Sequence, residues 1–119
     1  MNRAALFCDE TMDYRIPAEP DTGDIVTLRF RTAKDDADYV CVVICGLNLR
    51  IGMKKVENRG RFDYYECKFP AGEDVLYFYF EITKRGEVCK YNRLGVSDDM
   101  KLKRMFRITP GFQDRKSVV

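Results

Sequence analysis

Residues 74–84 read DVLYFYFEITK, and their alternation decides the fold. Successive side chains of a β-strand point to opposite faces. Leu76, Phe78, Phe80 and Ile82 therefore line one side, and Val75, Tyr77, Tyr79 and Glu81 the other. The first side is wholly apolar and belongs in a core. The second carries aromatic rings with polar tips, which suit a surface that meets an amphipathic partner or a neighbouring structure. Arg85-Gly86-Glu87 reads as a hairpin turn, and residues 88–93 return as the partner strand, bringing Tyr91 and Asn92 beside it.

The same period of two recurs on both sides of this stretch. In IVTLRFRT (25–32), Val26, Leu28 and Phe30 alternate with Thr27, Arg29 and Arg31, the pattern of an antiparallel strand with one dry and one wet face. YVCVVIC (39–45) is more uniformly apolar and rich in valine, as a central strand should be. Residues 49–56 are a weaker strand candidate; 61–69, RFDYYECKF, is a strong one, closed by Pro70-Ala71-Gly72. Here two adjacent tyrosines must part: Tyr65 goes inward beside Cys67 and Phe69, and Tyr64 outward with Phe62 and Glu66. An outward Phe62 calls for a loop or a protein neighbour to cover it. Residues 4–8, an extended piece over 13–16 and a last strand over 104–109 complete the series, with at most one helical turn over 98–105. Seven or eight short strands separated by turns predict an all-β, antiparallel β-sandwich.

The chain has 119 residues, with 21 Lys and Arg against 19 Asp and Glu, for a net charge of +2. So small an excess gives no reason to expect nucleic acid or an anionic membrane as partner. No apolar run approaches the roughly 20 residues of a membrane-spanning helix. MNRAALFCDE at the start has too short an apolar run for a signal peptide. With five dispersed cysteines, an odd number and no CxxC pair, this gives the expectation of a cytoplasmic protein. Cys41 and Cys45, four apart on one strand face, read as small core residues.

The chain contains no histidine, which removes serine-histidine and cysteine-histidine catalysis and the usual zinc sites. The cysteine spacing matches no metal pattern, so neither metal nor cofactor is expected. Asp35-Asp36 and Asp98-Asp99 lie in polar loops, and Asp63 and Glu66 fall on opposite faces of their strand. They cannot act as the facing carboxylate pair that sugar hydrolysis requires. No glycine-rich phosphate loop is present. The chain is thus expected to be non-catalytic, and its chemistry to lie in its outward aromatics: Tyr64, Tyr77, Tyr79 and Tyr91, with Glu81 and Asn92 as polar neighbours. A pyranose ring, with C–H bonds on one face and hydroxyls at its rim, suits such a surface. The same rings equally suit burial against another domain.

Taken in order, ALFCDE, DYRIP, VTLRFRT, MKKVENRGRFDYYE, LYFYFEI, KYNRLG and PGFQ resemble one family over residues 4–113. The chain is similar to the N-terminal domain of neopullulanases, cyclomaltodextrinases and maltogenic amylases, carbohydrate-binding module family 34. Its most specific part is the block from Met53 to Glu66, which includes Phe62, Asp63, Tyr64, Tyr65 and Glu66. The resemblance implies an immunoglobulin-like sandwich over residues 1–109. It implies that residues 110–119 begin a linker to a catalytic domain of glycoside hydrolase family 13 in the same parent chain. It further implies either binding of α-glucans, as starch-derived chains or maltooligosaccharides, or packing on the catalytic barrel or a partner subunit, with homodimer formation as the corollary.

Overall fold

The computed structural model describes residues 1–111. In chain order the strands are β1 (Arg15–Ile16), β2 (Ile25–Ala33), β3 (Tyr39–Ile44), β4 (Leu49–Gly52), β5 (Lys54–Arg59), β6 (Phe62–Pro70), β7 (Leu76–Lys84), β8 (Glu87–Asn92), β9 (Gly95–Val96) and β10 (Phe106–Ile108). They form two antiparallel sheets. A four-stranded sheet has the order β1-β2-β6-β5; a six-stranded sheet has the order β4-β3-β7-β8-β9, with β10 pairing β7 beyond the end of β8. The two sheets face each other as a sandwich, as the alternation predicts, and it is of the immunoglobulin-like kind that the resemblance implies.

Inward residues of both sheets build one core. Val26, Leu28 and Phe30 of β2 meet Val40, Val42 and Ile44 of β3 and Phe78, Phe80 and Ile82 of β7. Aromatic rings join the layers and brace them: Phe30 of one sheet lies 4.7 Å from Phe80 of the other, while within the six-stranded sheet Phe106 of β10 stacks on its cross-strand partner Phe78 at 5.4 Å. Such pairs contribute about 0.5–1.5 kcal/mol each beyond the area they bury.

Two expectations are corrected in detail. Residues 4–8 are not a strand: a 3-10 turn at Arg3–Ala5 precedes a single bridge from Phe7 to Arg31. Residues 49–56 are not one strand. β4 belongs to the six-stranded sheet and β5 to the other, and buried Met53 turns the corner between them. Past residue 109 the backbone stays bonded to the fold as far as Gly111. The Gly111 N–H donates to the Pro20 carbonyl (3.0 Å), and its own carbonyl accepts from the N–H and hydroxyl of Thr22, both at 2.9 Å. The rest of the expected linker, 112–119, lies outside the described residues.

Candidate functional site

The β7–β8 hairpin sets the fate of two candidates. Its loop is only Arg85-Gly86, both with positive φ (49° and 83°), the geometry of a two-residue turn that follows strand twist. The Asp38 carboxylate accepts the Arg85 N–H at 2.6 Å and holds the turn in place. Lys84 therefore pairs Glu87, and four positions along, Phe80 pairs Tyr91. Tyr91 thus shares the inward face of Phe80. It is buried, edge-on to Phe30 at 5.3 Å and stacked over Phe106 at 6.3 Å, and burial raises its hydroxyl pKa. The expectation of an outward Tyr91 is corrected: the ring is core.

Asn92 is fully buried as well. Its Nδ2 donates to the Asp99 carbonyl (3.0 Å) and its Oδ1 accepts the Leu94 N–H (2.8 Å). It staples the 93–105 loop to the sheet and has no surface to offer a ligand, so the expectation of Asn92 as a polar contact is corrected.

Tyr64 does face outward, as expected, but on the four-stranded sheet. Tyr77, Tyr79 and Glu81 face outward on the six-stranded one, on the opposite side of the sandwich. The candidates therefore never form one site. Arg29 of β2 and Arg59 of β5, the strands that flank β6, bring their guanidiniums to 5.7 Å and 5.3 Å from the Tyr64 centroid. Arg29 is in turn held by Glu66 at 2.6 Å and Arg59 by Glu57 at 2.8 Å. Beside them, Arg31 caps Phe62 at 4.2 Å. The cover that Phe62 needs is a guanidinium from the neighbouring strand.

Tyr77, Tyr79 and Glu81 remain, half-buried on one face. Their cross-strand neighbours there are Cys45, Val43 and Cys41 of the β3 side. The two cysteines share a face as expected, but it is the outer one. Cys41 is hidden beneath Arg50, whose Nη1 lies 3.8 Å from its sulfur and 2.7 Å from Glu81 Oε1. That hydrogen bond to Glu81 raises the Arg50 pKa, and burial raises those of Tyr79 and Cys41. Glu81 is therefore already engaged, and Tyr77 and Tyr79 share the face with the exposed ring of Tyr39 at the start of β3.

Tyr77 also lines an open groove of about 1420 Å³. One wall is the 93–107 segment with Arg93, Leu102, Lys103 and Arg107; the other is the 10–21 segment, and Gly111 lies at the rim. Arg107 is the direct cross-strand partner of Tyr77. Buried Arg15 ties the walls together, donating to the carbonyls of Ala18 and Arg107 (both 2.9 Å) and pairing with Glu10 at 3.3 Å. Sequence reasoning missed this groove because three distant segments build it. The signal it left is the basic run KLKRMFR at 101–107.

The family model "Alpha amylase, N-terminal ig-like domain" matches residues 1–109. The chain belongs to this family. Among solved structures, its fold is similar to part of a cyclomaltodextrinase (TM-score 0.74, 19% identity, covering 92% of this chain and 20% of that one). It is similar also to a maltogenic amylase from S. marinus (0.69, 13%, 92% and 15%). A third is the cycloalternan-degrading enzyme from Trueperella pyogenes (0.60, 15%, 86% and 16%). At these identities the likeness is one of fold. The chain spans a fifth or less of the length of these relatives. No curated protein matches it. Membership places it as the non-catalytic N-terminal domain type of α-amylase family enzymes.

Proposed function

We propose that this chain is the N-terminal module of a larger enzyme acting on α-glucans, and that its task is to seat against the rest of that enzyme. The groove beside Gly111 carries this reading. The backbone leaves the described fold at its rim, held there by three hydrogen bonds to Pro20 and Thr22. Whatever follows in the chain is delivered next to Tyr77, Leu102 and Arg107, an exposed surface mixing apolar and charged groups. Relatives of which the chain covers only 15–20% support a parent of this kind, and the odd, dispersed cysteines favour the cytoplasm.

A second reading, that the module holds α-glucan or a maltooligosaccharide itself, is favoured by the shared face of Tyr77 and Tyr79. The rings would stack on sugar and Glu81 would accept a hydroxyl. The test is a titration of the isotope-labelled chain with maltoheptaose, followed by amide shifts. The seating reading expects no saturable shifts at millimolar sugar. Saturable shifts clustered at Tyr77–Glu81, lost in Tyr79→Ala, would replace it with the sugar-holding one.

A further inference from the structure

The groove is electrostatically one-sided. Arg93, Lys103 and Arg107 stand on one wall, and none of them makes an ion pair with an acid of the described residues. The Arg93 guanidinium instead donates to the Lys103 carbonyl at 2.9 Å. Of the acids that line the groove, Glu10 is already taken by Arg15 and by the Arg107 backbone N–H. Glu19 and Asp21 belong to the opposite wall. Most other guanidiniums have an acid: Arg3 with Glu87, Arg29 with Glu66, Arg50 with Glu81, Arg59 with Glu57 and Arg104 with Asp99. The uncompensated cations thus stand around an exposed apolar step: Leu102 is 52% and Met12 67% accessible.

Cations left without acids around exposed apolar side chains suit an occupant with the complementary pattern. Resting on the seating reading, we infer that the groove receives an acidic, apolar-tipped loop of the domain that follows in the parent chain. Its carboxylates meet Lys103 and Arg107, and its apolar side chain lies over Leu102, Met12 and the Tyr77 ring. The tethered exit at Gly111 keeps that domain at high effective concentration, so a contact of modest intrinsic strength suffices.

The test is hydrogen exchange at the amides of Ala18 and Glu19 and of residues 101–103, measured in the 119-residue chain, in the parent enzyme and in its variants. In the parent these amides should exchange about tenfold or more slowly than in the short chain. Lys103→Glu with Arg107→Glu should return them to the short-chain rate, and Lys103→Arg with Arg107→Lys should keep the protection. Protection that survives charge reversal would overturn the acidic loop while leaving seating intact. Equal exchange in parent and short chain would overturn both. Loss of protection at the core amides of Val42 and Phe80 would mark a variant as unfolded, and the conservative pair, with Lys103→Gln and Arg107→Gln, would then decide.

Discussion

The Arg31 guanidinium lies 4.2 Å from the centroid of the Phe62 ring and 5.2 Å from that of Phe7. One side chain from β2 thereby covers both Phe62, which alternation along β6 turns outward, and Phe7, at the isolated bridge to Arg31. Its Nε is fixed by the Ala5 carbonyl at 3.0 Å, so the cap is held in place and also anchors the N-terminal turn. Arg31→Ala should destabilise the chain by about 1–2 kcal/mol, counting the cation–π term and the lost packing of the stem. Urea unfolding of Arg31→Ala, Phe62→Ala and the double variant checks this. A coupling indistinguishable from zero would mean the cap contributes nothing.

Tyr91 and Tyr79 should behave as different kinds of residue. Tyr91→Ala removes a buried ring stacked on Phe106 and should cost about 3–5 kcal/mol. Tyr79→Ala, on the half-buried outer face, should cost about 1–2 kcal/mol. Thermal or urea midpoints for the two variants give the comparison; equal losses would move Tyr79 into the structural core.

How far this was legible in the sequence turns on the same residues. Period two identified β2, β6 and β7 and sorted Tyr64 from Tyr65 correctly, because alternation along one strand is local. Tyr91 was misplaced by one residue of turn length. A three-residue loop at Arg85-Gly86-Glu87 puts Tyr91 opposite Glu81, outside; the actual two-residue loop puts it opposite Phe80, inside. A slip of one exchanges the faces of a whole strand. Asn92 was lost differently, beneath a loop whose path no local pattern records. The separation of Tyr64 from Tyr77 depends on which sheet each strand joins, and that is a long-range property. The Arg3–Ala5 turn escaped because ALF reads equally well as the start of a strand.

Asp63 gives the chain a specific acid sensitivity. Burial works to raise its pKa, but the Asp35 N–H and the Lys55 ammonium (both 2.9 Å) and the Asn58 amide (3.1 Å) outweigh it and hold the carboxyl below its ordinary value. Because Lys55 is partly exposed, solvent screens its share and the two uncharged donors matter more. A depressed folded pKa means that the stabilisation is full above the unfolded value of about 3.9 and is lost as pH falls through the folded one. Asp63→Asn should lower stability at pH 7 by about 1–3 kcal/mol. It should also flatten the decline below about pH 4. Urea midpoints from pH 2 to 7 measure both; parallel curves for the two proteins would reject the assignment.

Thiol reactivity should single out one cysteine. Cys8, Cys41, Cys67 and Cys89 are buried, while Cys45 is only partly covered. Burial pushes the Cys67 thiol up to about 12, so it holds almost no thiolate near neutrality. At pH 8 a disulfide reagent should titrate about one thiol in the native chain, absent in Cys45→Ala, and all five in urea. Fast reaction of a second native thiol would contradict the packing described for it.

Thr22 and Gly111, 89 positions apart in sequence, hold each other through the Gly111 carbonyl. Tension applied to the backbone beyond Gly111 therefore does not fall on β10 alone. It divides between the β10–β7 ladder and the Pro20–Thr22 segment, which itself leads into β2 at the far sheet. The exit behaves as a clamp anchored in both layers, and the three residues of β10 are shielded from being peeled away by tension on the backbone beyond Gly111.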